Sequence, residues 1–250
     1  MEGYKELISK LMEIRKRGYI KTHRAGNTGI GKTLEDLLGI RENNIPGPNS
    51  KLIELKSGRK NTSSMLTLLT KAPEPYGANV VLLKRFGYPS GKNDKNILHT
   101  IVNATEFNTI KGKHGFKISV TEDRVELLFG GETSDLLKFI GAKREEPEVV
   151  AHWTKETLRA SFEKKYPLAL LYVKADCKGR GKNEEFWFNE AWYIKGFNFD
   201  GLAQIINDST IKVDIRIGQN PDGSTHDHGT GFRIFPKNLD LCFSVREQVI

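Results

Sequence analysis

Hydrophobic positions recur at helical spacing in the first segment of the chain. Leu7, Ile8, Leu11 and Ile14 fall three and four residues apart within YKELISKLMEIRKR (4–17), which predicts an amphipathic helix stopped by Gly18. A polar, glycine-rich stretch, HRAGNTGIGK, reads as a loop, and Thr33 then stands at an N-cap position ahead of the apolar LEDLLGI. Short apolar runs come next. KLIELKS (51–57), SMLTLLTKAP (64–73) and NVVLLKRFG (79–87) predict strands, the last two separated by the turn-forming PEPYG.

Past the basic, turn-rich GYPSGKNDKN and NTIKGKHG, the alternating FKISV and RVELLF predict further strands. TKETLRASFEKKY (154–166) reads as a helix and PLALLYVKA as the strand leaving it. KGRGKNEEFWFNEAWYIKGF reads as a basic hairpin tip running into an aromatic strand, and DGLAQIINDST as a short helix. KVDIRIG, GTGFRIF and LCFSV make the end of the chain β-rich. Without internal repeats or low-complexity linkers, the mixture is α/β or α+β, in one generous domain or two closely packed lobes.

Composition narrows the class. A hydrophobic share of 38% with 28% charged residues fits a soluble globular protein. No apolar run approaches the roughly 20 residues that span a bilayer. The opening segment carries Glu2, Glu6 and Glu13 and has no apolar core of the kind an export signal needs. Cys177 and Cys242 are two thiols in a large chain, which points to a reducing, cytoplasmic setting. The formal net charge of +8 suits a polyanionic partner such as nucleic acid without requiring one.

One motif invites a reading that its context opposes. GNTGIGKT (26–33) matches the phosphate-binding pattern G-x-x-x-x-G-K-[ST], which needs a buried strand leading in and a helix leading out. The approach, RKRGYIKTHRA, is too charged for a central strand, and no apolar strand ends in an aspartate suited to magnesium. A loop carrying His23, Arg24, Asn27 and Lys32 along a DNA backbone is the better account.

Glu54-Leu55-Lys56 carries sharper chemistry. On a strand Glu54 and Lys56 share a face while Leu55 enters the core, with apolar Leu52 and Ile53 ahead of them and Glu35 on a preceding helix. Glu54 and the Leu55 carbonyl can ligate Mg²⁺, and Lys56 can steer a water or neutralise charge on a phosphate. The same tripeptide on an exposed strand is a solvated ion pair. In KVDIRIG, strict alternation puts Lys212, Asp214 and Arg216 on one face. Arg can pair bidentately with guanine and Asp can accept from cytosine, with His226, His228 and Arg233 as further donors. Two plainer readings stay open here: a surface ion pair between Asp214 and Arg216, and a zinc site at His226-Asp227-His228 lacking an evident further ligand. Trp153, Trp187 and Trp192 read as core rather than stacking platforms. Lys92, Lys95, Lys111, Lys113, Lys178, Arg180 and Lys182 read as backbone clamps in loops.

Three segments together resemble the MvaI/BcnI family of restriction endonucleases, MutH-like members of the PD-(D/E)xK nuclease superfamily. They are GNTGIGKTLEDLL (26–38), PNSKLIELKS (48–57) and KVDIRIG…THDHGTGFRI (212–234). The resemblance implies a restriction-endonuclease-like α/β fold: a central mixed sheet flanked by helices, with two lobes around a DNA cleft. The catalytic lobe would lie mainly in 1–145 and the recognition lobe mainly in 146–250. It makes Glu54 and the residue at position 49 metal ligands beside the Leu55 carbonyl, Lys56 the catalytic lysine and Glu35 an auxiliary acid. Asp214, Arg216, His228 and Arg233, with His226 beside them, become base readers. It further implies Mg²⁺, double-stranded DNA of CC-N-GG type as substrate, a monomer, and a cognate DNA methyltransferase in the same prokaryotic system.

The family's first catalytic aspartate falls where this chain has Asn49. An amide can coordinate Mg²⁺ but brings no charge, so metal binding and rate should both fall. Either an aspartate has been replaced, trapping an uncut DNA complex, or the chain binds without cutting. The alternatives are therefore a MutH-like strand-nicking repair endonuclease and a non-catalytic DNA-binding protein.

Overall fold

A computed structural model describes residues 2–40, 52–91, 95–111, 115–130 and 146–250. Asn49, Lys92 and Lys113 lie outside the described residues. Along the chain the elements run α1 (Glu2–Lys16), β1 (Ile20–Lys21), α2 (Gly29–Leu38), β2 (Ile53–Arg59), β3 (Leu66–Thr70) and α3 (Ala78–Phe86). Then follow β4 (Tyr88–Pro89), β5 (Asn96–Val102), β6 (Gly115–Val120), β7 (Arg124–Gly130), β8 (Glu148–Thr154), α4 (Lys155–Lys165) and β9 (Ala169–Lys178). The last are β10 (Glu185–Phe197), α5 (Leu202–Asn207), β11 (Ile211–Gln219), β12 (Thr225–Asp227), β13 (Gly231–Ile234) and β14 (Phe243–Gln248).

These elements sort into two compact units. Met1–Ser64, Phe162–Asn198 and Leu239–Ile250 make the first, and Met65–Ser161 and Phe199–Asn238 the second, so each draws on both halves of the sequence. In the first unit a sheet of order β1-β10-β9-β2 also carries β14 on β10. Its β2 and β9 are parallel, from Ile53 beside Ala169 to Arg59 beside Ala175, and its other pairings are antiparallel. Leu7, Leu11 and Ile14 of α1 and Ile30, Leu34 and Leu38 of α2 bury against Ile53, Leu55, Leu171, Val173, Phe186 and Phe188 of this sheet. Each such burial contributes roughly 1.5–3 kcal/mol, and together they fix the strand that bears Glu54. A mixed sheet with helices packed on it is the architecture expected.

The second unit holds a sheet of order β3-β13-β11-β5-β4, with β12 on β11, and an antiparallel sheet β6-β7-β8. Trp153 is fully buried in this unit, edge-to-face on Phe232.

Three local expectations need correction. Residues 79–86 fall in a helix rather than a strand, with Gly87 capping it, because Ala78, Leu82 and Leu83 bury at helical spacing while Val80 and Val81 stay exposed. Thr33 does not cap α2, which begins at Gly29; it lies inside the helix, donating to the Gly29 carbonyl at 2.8 Å. Leu52 is 53% exposed, so the apolar run entering β2 buries only from Ile53.

Candidate active site and base-reading strand

On β2 the alternation works as read: Leu55 enters the core while Glu54 and Lys56 take the opposite face. Glu54 is 0% exposed. Lys56 Nζ stands 3.0 Å from its Oε1, and Lys165 Nζ, from the last turn of α4, stands 2.9 Å from that same oxygen. Both ammonium groups are at ion-pair distance, yet neither is aligned to donate a hydrogen bond, and Oε2 has no hydrogen-bond partner either. A buried carboxylate left this way is costly unless something ligates it. Beside it, burial and then the Glu54 charge push the hydroxyl of Tyr166 well above its ordinary pKa. β2 ends its sheet's strand order.

The glycine-rich loop is organised by packing. Gly26 adopts φ +93°, and a Cβ on Gly29 would meet the Arg24 carbonyl oxygen at 2.2 Å, so both positions demand glycine for reasons of fold. Arg59, the last residue of β2, donates to both carboxylate oxygens of Glu184 at 2.7 Å and reaches the Gly26 carbonyl at 3.3 Å. Its 3.5 Å contact to the Asn27 carbonyl is at the limit of a hydrogen bond. The ion pair with Glu184 raises the Arg59 pKa. Lys32 pairs with Asp36 at 2.6 Å, and His23 Nδ1 lies 2.9 Å from the other oxygen of that carboxylate. Lys32 first and His23 second hold the Asp36 carboxyl below its usual range. Among the described residues, the strand ahead of this loop is the two-residue β1, paired to β10 at the sheet's end, which is not the approach a nucleotide site requires.

Glu35 lies half-buried on α2, which faces β2 closely enough that a Cβ added to Gly31 would stand 3.8 Å from Ser57 Oγ. Among the described residues no three acidic, histidine or cysteine side chains gather as a metal cluster. The structure therefore brings Glu54 and Lys56 together, whereas position 49 lies outside what it describes.

On β11, Asp214 is buried and each oxygen meets an arginine. Arg216 Nε donates to Oδ1 at 2.8 Å, and Arg233 Nη1 donates to Oδ2. Arg233 also holds the Met65 carbonyl at 2.9 Å, leaving the Arg216 side chain 42% exposed and that of Arg233 23%. This is a braced pair of guanidinium groups, not a solvated surface pair. His99 of β5 sits directly across from Arg216. Its ring lies 6.1 Å from that of His228, which in turn lies 4.3 Å from His226. Burial, then the charges of Arg216 and His228, lower the His99 pKa, against a smaller opposing effect of Asp214. Burial and His226 lower that of His228. Asp227 is engaged elsewhere, accepting from the Gly229 and Thr230 N–H groups and from the Asn79 amide, so the zinc reading loses its middle ligand.

With this geometry in view, the sequence pattern of the MvaI/BcnI restriction endonuclease family matches residues 8–243. The chain belongs to that family. Its activity class is accordingly that of a DNA-hydrolysing nuclease. Among solved structures, the chain is similar to restriction endonuclease MvaI in complex with its cognate DNA substrate. The two are 29% identical over 100% of this chain and 99% of that one, with a TM-score of 0.85. MvaI in the absence of DNA matches at the same 29% identity, covering 100% and 98%, with a TM-score of 0.59. A comparison with curated proteins returns no match.

Sequence reasoning overlooked Lys165, Arg59 and His99. Lys165 and His99 become visible only once β9 is known to run parallel to β2 and β5 to pair with β11. Arg59 had a weak signal, as a basic residue closing the strand that carries Glu54 and Lys56.

Proposed function

We propose that the protein is a sequence-specific, Mg²⁺-dependent endonuclease that hydrolyses both strands of a CC-N-GG-type site and acts as a monomer. The observation that carries this reading is the buried Glu54 carboxylate with an unmet oxygen, flanked by two ammonium groups, in a chain of this family. An orphaned, buried carboxylate oxygen suits a hard divalent cation. Glu54, the Leu55 carbonyl and the side chain at position 49 would hold it, with Glu35 as an auxiliary acid. When bound, the cation supplies charge neutralisation at the phosphate and a more acidic water. Lys56 orients the attacking water and offsets charge on the phosphate oxygens. The water oxygen bonds to phosphorus as the bond to the 3′ oxygen breaks. The water's proton passes to solvent, the leaving oxygen is protonated, and a 3′-hydroxyl and a 5′-phosphate result.

The second unit supplies the base readers. Arg216 and Arg233 present guanidinium forks held by Asp214, a geometry suited to guanine O6 and N7. His226 and His228 add donors or acceptors nearby, and Asn27 and Lys32 contact the DNA backbone from the first unit. Asn49 removes one negative charge from the cation's ligand set, so this form binds its site more readily than it cuts. The test is to digest a random-sequence plasmid library with Asn49→Asp protein and Mg²⁺ and to map the ends. Ends gathered at one C·G-rich pentamer support the reading. Nicks in one strand only point to a repair-type nicking enzyme, and specific binding that never becomes cutting, even with Mn²⁺, points to a DNA-binding protein.

A further inference from the structure

Two ammonium groups around one carboxylate oxygen are more cation than a metal ligand needs. Lys56 reaches Glu54 Oε1 from two residues along the same strand, and its role follows from the family's tripeptide. Lys165 arrives from a different element, the end of α4, and nothing in that tripeptide calls for it. Its side chain is 24% exposed, whereas the Glu54 side chain is 1% exposed. The chain thus keeps a buried anion beside a cation whose side chain is partly exposed.

From this we infer that Lys165 is a positioning residue that competes with the divalent cation for Glu54. Without metal, its charge offsets the desolvation of the carboxylate and keeps that side chain aimed out of the sheet. A divalent cation taking Oε1 must displace or repel an ammonium 2.9 Å from the same oxygen, so the site is weak while Lys165 stays. A DNA phosphate offers that ammonium another anion, and cation binding and DNA binding then strengthen one another. The device would keep the site from filling, and the water from being activated, until the polyanion has arrived. It rests on the proposal that Glu54 is a cation ligand.

The experiment titrates Mn²⁺ into the intact chain without DNA, reading bound metal by electron paramagnetic resonance. Lys165→Met should bind Mn²⁺ about tenfold more tightly than the unsubstituted protein, the effect of one lost charge contact. Lys165→Gln should do the same, so that a folding defect in one variant does not decide the matter. Lys165→Arg, which keeps the charge, should return affinity toward the starting value. A merely structural lysine would give weaker metal binding on removal, not tighter. Unchanged or weaker binding in both neutral variants overturns the inference. Glu54→Gln separates the two levels: if it abolishes Mn²⁺ binding while the Lys165 variants show no gain, only the competition fails. If Glu54→Gln binds as well as the unsubstituted protein, the cation site itself is misplaced.

Discussion

In each unit, among the described residues, a carboxylate is buried between two basic side chains, Glu54 in the first and Asp214 in the second, and the two arrangements differ in how they are finished. Around Asp214 the partners are arginines, whose planar forks engage both oxygens, while Arg233 also holds a backbone carbonyl. Around Glu54 the partners are lysines, both crowd Oε1, and neither oxygen receives an aligned hydrogen bond. Guanidinium groups make rigid, directional pairs, while ammonium groups are point charges on flexible stems. The first arrangement meets both carboxylate oxygens and holds its arginines in place, although Arg233 Nε is buried without a hydrogen-bond partner. The second is held together by charge alone and leaves both carboxylate oxygens without a hydrogen bond. On the proposed function, one unit would be preorganised to read a DNA surface and the other would be completed by an incoming ion.

Substitutions should separate the two along that line. In an Asn49→Asp background, Glu54→Gln should reduce cleavage on the order of 10³-fold while leaving the affinity for cognate DNA in Ca²⁺ largely intact, as a filter-binding assay would show. Asp214→Ala should do the reverse. It releases both arginines and leaves their donors unmet, lowering stability by about 2 kcal/mol and cognate affinity by roughly 100-fold, with Mn²⁺ binding retained. Arg216→Lys keeps the charge but loses the fork. Discrimination against a single substituted base pair should fall by about 10- to 100-fold, and binding to unrelated DNA should barely change.

Smaller effects sharpen the same contrast. The His99 and His228 pKa values are lowered from the ordinary 6.5, so the unfolded chain takes up protons that the folded chain resists. Stability is full above pH 6.5 and declines as pH falls from there through the lowered values. Groups facing His99 include Arg216 and His228, which oppose its protonation, and Asp214, which favours it. His99→Asn should flatten the decline in thermal midpoint between pH 6.5 and 5, and an unaltered pH profile would count against the packing described. Least of all, Lys182→Ala, if that residue clamps a phosphate, should lower the slope of log affinity against log salt by about 0.9.

What the sequence made legible follows a physical division. The faces of Glu54, Lys56, Asp214 and Arg216 were readable because a strand's two-residue period is local. The environment of those faces was not. That Asp214 would be braced by Arg233 depends on β13 pairing with β11, and that Lys165 would meet Glu54 depends on the end of α4 lying beside β2. Residues 79–87 misled because Val80, Val81, Leu82 and Leu83 have strand-like composition, while the second unit buries only one helical face of them. The motif at 26–33 was rightly set aside on its charged approach, and its Gly26 and Gly29 answer to a tight turn and a close backbone approach.

The contrast between the two carboxylates reduces to one titration. Mn²⁺ is added to Asn49→Asp protein and to the same protein carrying either Glu54→Gln or Asp214→Asn, with bound metal read directly and no DNA present. Loss of binding in the Glu54→Gln form and its retention in the Asp214→Asn form is the expected result. Equal binding in all three, or loss only with Asp214→Asn, would contradict it.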